Sequence, residues 1–142
     1  MHRRLLPVFL LGLVAGCAAS LRLVAAPLVD NQTIKLPCGS TVKILSVSRI
    51  EYSKGVPALM VRYQTRLSVE QQRKALSDEV DSLFSLAQKQ VDHDGFHEAI
   101  ISSNEVPKGI ILTANRMLNF IFEKGDDGKW TRLGRSEFMA VQ

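Results

Sequence analysis

One stretch of this chain, residues 68–93, carries a helical hydrophobic period, and its neighbours on both sides read as strands. Val69, Leu76, Val80, Leu83, Phe84, Ala87 and Val91 fall on one helical face. Arg73, Lys74, Asp78, Glu79, Gln88 and Lys89 are assigned mostly to the other faces. Ser68 with Gln71 three residues on has the form of a capping box, and Gly95 is a natural stop. A lone helix must bury its apolar stripe against something. Only strands are available, so the chain is confined to one helix packed on a sheet.

The flanking strands show their own period. Residues 33–36 alternate like a short strand, ended by Pro37-Cys38-Gly39-Ser40. Residues 41–52 are rich in β-branched side chains, but their parity shifts. Val42 and Ile44 lie on one face, Leu45 and Val47 on the other, and Ile50 and Tyr52 return to the first. A bulge, or a strand buried on both faces, accounts for that shift. After a turn at 53–57, Leu59, Val61, Tyr63, Thr65 and Leu67 alternate with Met60, Arg62, Gln64 and Arg66. That is a strand with one wet face.

Beyond the helix, 97–103 reads as a strand, 104–109 as a turn and 110–113 as a buried strand. Asn115-Arg116 reads as a tight turn or bulge. Leu118, Phe120 and Phe122 alternate in the next strand. Gly125-Asp126-Asp127-Gly128 has the chemistry of a hairpin loop, after which 129–133 pairs back with Trp130 towards the core. Residues 134–142 carry no clear pattern.

The fold class expected is α+β, one long helix packed on a twisted antiparallel sheet. The closing segment, Phe122-Glu123-Lys124 followed by Asp127-Gly128-Lys129-Trp130, resembles the last hairpin of many cell-envelope domains. The general shape is similar to cystatin-like and nuclear-transport-factor-like cones. Those families place their helix before the main sheet, whereas a β-hairpin comes first here.

The start of the chain has a different character. His2-Arg3-Arg4 is basic, and 5–15 is apolar apart from Gly12 and Pro7. That core is far shorter than the roughly 20 residues a spanning helix needs. Val14-Ala15-Gly16-Cys17 then resembles the lipobox of bacterial lipoproteins, a likeness confined to residues 1–17. The resemblance implies a cut before Cys17, a diacylglyceryl group on its thiol and, usually, acylation of the new amino terminus. Two or three acyl chains make a stable anchor. Ala18, where the family's inner-membrane retention signal has Asp, points to the outer membrane rather than the inner. An ordinary secretory leader cut after Ser20 is the alternative, and either form exports the chain. The organisation expected is a signal peptide at 1–16, a lipidated cysteine and tether at 17–31, and a single α+β domain at 32–142.

Composition adds two limits. The full chain has 18 basic and 14 acidic residues; without Arg3 and Arg4, 16 basic remain, a net charge of +2. The basicity belongs largely to the leader, so no nucleic-acid partner is expected. With Cys17 lipidated, Cys38 has no partner in its own chain. Burial as a small hydrophobe is its simplest role.

Several residues are candidates for chemistry. Asp92-His93-Asp94-Gly95-Phe96-His97 is the densest group of metal-ligand types, with His93 and His97 foremost. Gly95 breaks the helix between the two histidines, and a solvated helix end explains the group without an ion. No metal or cofactor is expected. Cys38 as a nucleophile would need His93 or His97 as its base. No Gly-x-Ser-x-Gly elbow, phosphate loop or dinucleotide fingerprint is present. Arg62 and Arg66 share a wet strand face, with Lys43 or Arg49 beside them, and suit lipid phosphates or an acidic partner. The turn carrying Asn104, Glu105 and Lys108 is the second candidate contact.

The function expected is that of a periplasm-facing envelope lipoprotein with a small non-catalytic binding or assembly domain. Its partners would be the membrane, through the N-terminal lipid, and an envelope protein. Two alternatives stand beside it: an envelope hydrolase using Cys38 or the His93/His97 region, and an inhibitor or immunity-type protein.

Overall fold

The structure, a computed structural model, describes residues 26–52, 55–107 and 114–141. The leader, Cys17, Lys108 and the strand expected at 110–113 lie outside them. Three strands come first: β1 (Thr33–Lys35), β2 (Thr41–Tyr52) and β3 (Val56–Thr65). The helix α1 (Arg73–His93) follows, then β4 (Glu98–Glu105), β5 (Ala114–Lys124) and β6 (Trp130–Val141). All six strands form one sheet whose spatial order is the chain order.

The class is therefore α+β, but the sheet is mixed and not antiparallel throughout. β3 and β4 run parallel, with Leu59 opposite Ala99 and Tyr63 opposite Ser103. The other neighbours are antiparallel. The cause is α1. A helix of 21 residues is about 30 Å long. It carries the chain back along β3, so β4 starts where β3 started.

α1 lies on one face of the sheet, called the inner face below. Leu76, Val80, Leu83, Phe84, Ala87 and Val91 pack there against Ile44, Val61, Tyr63, Ile101, Leu118, Phe120 and Phe122. Phe84 stacks on Phe122 with ring centres 3.8 Å apart, and Trp130 meets Phe84 edge-on at 5.4 Å. Leu28, in the segment read as tether, is also buried in this core, and its amide donates to Gln90 Oε1 at 3.1 Å.

The helix ends follow local chemistry. Gly95 adopts φ +72, the Phe96 amide donates to the Val91 carbonyl at 3.0 Å, and that of Gly95 to Asp92 at 3.3 Å. This is a Schellman stop, closed by the buried pair Phe96 and Val91. The start lies at Arg73 and not at 68. Ser68 accepts from the Gln71 amide through Oγ and from the Gln72 amide through its carbonyl, while Gln72 Oε1 accepts from the Ser68 amide. These bonds close a separate turn ahead of the helix, and the N-cap Gln72 makes no side-chain cap.

The parity shift in β2 is a bulge. Ile44 faces Tyr63 and Ser46 faces Arg62, leaving Leu45 extra. Val47 thereby joins Val42 and Ile44 on the inner side, while Ile50, opposite Ala58, is turned to the outer side. Asn115-Arg116 is not a turn: both lie within β5, and the irregularity falls between Phe120 and Phe122. Residues 125–128 do turn the last hairpin, with Gly128 at φ +78 and the Gly125 amide donating to the Lys129 carbonyl at 2.8 Å.

Leu83 is fully buried between helix and sheet. Leu83→Ala should destabilise the domain by roughly 2–5 kcal/mol in denaturant unfolding. A loss below about 0.5 kcal/mol would place Leu83 at the surface and contradict this packing.

Candidate functional site

The outer face of the sheet has no helix on it among the described residues, and its side chains form rows set by strand register. The middle row runs Ser48, Met60, Ile100, Ile121 from β2 to β5. Two residues to one side lie Ser46, Arg62, Ser102 and Asn119. Two residues to the other lie Ile50, Ala58, Glu98 and Glu123. An apolar band is thus flanked by a row with a cation and a row with two carboxyls.

The polar groups here are poorly satisfied. Ser102 is 1% exposed and Asn119 9%. Ser102 Oγ, Asn119 Oδ1 and Glu98 Oε2 are buried without a hydrogen-bond partner. Such groups are uncommon in a finished fold, because each forfeits its bonds to water. Burial, and then the charge of Glu123 beside it, pushes the Glu98 carboxyl above its ordinary value. Among the described residues neither Glu98 nor Arg62 has an ion-pair partner.

The expected contact residues separate. Arg62 is exposed on this face, while Arg66 lies just past the end of β3. Lys43, opposite Gln64, shares the face, but Arg49 is on the inner side, 5.7 Å over the Phe96 ring. Asn104 and Glu105 are not in a turn; they end β4 because its parallel pairing with β3 continues to Thr65. Asn104 Nδ2 is held by the carbonyls of Tyr63 and Ser102 at 3.3 and 3.1 Å. Glu105 Oε2 accepts from the Val69 amide at 3.4 Å.

Cys38 is exposed, not buried. It projects from the turn after β1, in which Gly39 takes φ +95 and its amide donates to the Leu36 carbonyl at 2.9 Å. The Cys38 amide donates to Ser82 Oγ of α1 at 3.0 Å. Burial and the nearby Glu79 push the thiol up, but the Ser40 amide and the Ser82 and Ser40 hydroxyls outweigh them, and the net shift is down. Neither histidine is on hand as a base. Ser82 and His93 are eleven residues apart, about 16 Å along the helix axis.

Behind this turn lies a group that residue type had hidden. Glu79 is only 3% exposed and belongs to the buried stripe, between Leu76 and Leu83. Its carboxyl and the Ser103 hydroxyl both lie near enough to the Tyr63 hydroxyl to act on it, although Glu79 Oε1 and the phenol make no hydrogen bond of good geometry. Burial and the Glu79 charge push the Tyr63 phenol far up, so it stays neutral.

His93 and His97 are both exposed at the helix end. His93 borders an open cleft of ≈ 330 Å³ with Pro27 and Leu86. Among the described residues no three His, Cys, Asp or Glu side chains stand within reach of one ion. Asp92 is instead a structural clasp. Its Oδ1 accepts from Lys124 Nζ at 2.7 Å and from Trp130 Nε1 at 3.1 Å, tying α1 to the β5–β6 hairpin. No protein-family model, curated protein or solved structure matches this chain.

The Asp92 clasp has a pH signature. Burial raises its carboxyl, but the bonds from Lys124 and Trp130 outweigh that and hold it below the ordinary value. A carboxyl held low in the fold stabilises it above the unfolded pKa, and that stability is lost as pH falls through the folded one. The pair is partly open to water, so Asp92→Asn should lower stability at neutral pH by no more than about 1 kcal/mol. The gap should begin to narrow as pH falls below about 4, the unfolded value, and close only below the lowered folded value, where Asp92 is protonated in both states. Thermal melts across that range check this; a gap that persists in acid contradicts it.

Proposed function

We propose that this chain is a cell-envelope lipoprotein whose single domain works by binding and does no catalysis. The leader, the lipobox-like Val14-Ala15-Gly16-Cys17 and Ala18 support an outer-membrane lipid anchor at Cys17, with the domain facing the periplasm. The observation that carries the binding reading is the outer sheet face. It presents the partly exposed Met60 and Ile121 between the exposed Arg62 on one side and Glu123 on the other, with Ile100 buried among them. A face of that kind suits an envelope protein partner more than a small substrate. The comparison with cystatin-like cones is kept as an analogy of shape, one helix lying on one side of a sheet.

A thiol-dependent envelope hydrolase is the second reading. In its favour is the exposed Cys38, shifted towards the thiolate. Against it is the distance of both histidines from that turn.

Intact mass of protein purified from membranes should equal the chain from Cys17 plus its acyl groups; an unmodified chain starting at Leu21 contradicts the anchor. In cells lacking the native gene, the triple variant Cys38→Ala, His93→Ala, His97→Ala should restore growth or envelope integrity as well as the native chain does. Arg62→Glu should not. The reverse pattern would favour the hydrolase.

A further inference from the structure

Building on the lipid anchor read at Cys17, we propose that the flank of α1 beside Ala26 rests on the membrane that holds the anchor, with a phospholipid headgroup seated in the cleft there.

Reach comes first. Cys17 and Ala26 are nine residues apart. Nine residues span at most about 30 Å when fully extended. A folded domain of this size is roughly 35 Å across. The side from which the chain leaves the domain is therefore the side held to the bilayer.

The fold fixes where that side is. Leu28 is buried in the core, and its amide donates to Gln90 Oε1 at 3.1 Å. Two residues on, Asp30 Oδ1 accepts from the Val47 amide at 2.7 Å. Residues 28–30 are thus pinned to α1 and to β2, and the chain exits alongside the last two turns of the helix. Pro27 and Val29, on either side of Leu28, are both exposed. Val29 is 52% exposed, the most open large apolar side chain among the described residues. Its neighbours are held in place, so that exposure is built into the fold.

The surface at the exit has the chemistry of a membrane interface. The cleft of ≈ 330 Å³ lies between Pro27 and the α1 residues Leu86, Lys89 and His93. Those three are spaced three and four apart, on one stripe of the helix. Pro27 and Leu86 give the cleft an apolar wall, and Val29 extends it. Lys89 is exposed, and its long stem lets the ammonium meet lipid phosphates while the methylenes stay on apolar surface. Asp94, at the helix end of the cleft, suits the ammonium of a phosphatidylethanolamine headgroup. Single exposed apolar side chains are ordinary on a protein surface. These share one flank with a cleft, a cation and the exit of the chain. α1 lies on the inner side of the sheet, so docking through it leaves the outer face clear for a protein partner.

The test uses the full lipidated chain with Cys38→Ala as background, in vesicles of phosphatidylethanolamine and phosphatidylglycerol. A nitrobenzoxadiazole dye is attached at Val29→Cys, at Leu86→Cys or, as the control, at Lys74→Cys, whose side chain is 90% exposed near the start of α1. Lipids carrying a nitroxide just below the headgroup should quench the dye at 29 and 86 several-fold more than at 74. Adding Lys89→Glu to Val29→Cys should reduce that quenching several-fold, through repulsion of the lipid phosphates. Equal quenching at 29 and 74, or quenching at 29 that ignores Lys89→Glu, overturns the docking. Intact mass of the same preparation separates the two proposals. Acyl groups present without contrast between 29 and 74 overturn the docking and leave the anchor standing; a chain without acyl groups overturns both.

Discussion

β3 and β4 lie side by side and point the same way, and no hairpin can join two such strands. Their connection must travel the length of the sheet, and α1 is that connection. The helix buries its stripe on the face it crosses. The inner face becomes the core, with Phe84 on Phe122 and Leu83 among Ile44, Val61 and Ile101. On the outer face the same parallel pairing decides which side chains share a row.

The covered side is held by more than apolar contact. Asp92 clasps the end of α1 to Lys124 and Trp130, while Arg132 reaches Asp81 and Ser77 nearer the middle of the helix. The Cys38 turn closes over Ser82 from the other edge. Glu79 stands out against this order, as a buried carboxyl facing a buried phenol without a hydrogen bond of good geometry between them. Groups of that sort cost stability, and apolar replacements of similar volume often raise it. The packing gives no reason for a carboxyl at this position.

Local chemistry was readable from the residues, and pairing across the sheet was not. The stripe from Leu76 to Val91, the Gly95 stop, the bulge near Ile44 and the turn at 125–128 each rest on a few adjacent side chains, and each is found in the fold. The parallel pair could have been inferred, since one helix between neighbouring strands returns the chain to its starting end. Glu79 was also within reach: its spacing from Leu76 and Leu83 puts it on the stripe, and only its charge argued for the surface. The sharing of rows by Arg62, Ser102 and Asn119 was out of reach, because register joins residues far apart in sequence. For the same reason Asn104 and Glu105 read as a turn by their polarity, although their pairing with β3 extends the strand.

The central claim is that one sheet face is sealed by α1 and the opposite one is a contact surface. Hydroxyl-radical footprinting of Met60 tests it most directly, because this partly exposed side chain sits in the middle of the outer face. Oxidation should be readily seen in dilute, detergent-solubilised protein and several-fold slower in the intact membrane, where the proposed partner would cover Met60. Equal rates in both states would mean that the outer face stays open to water, and would contradict the account.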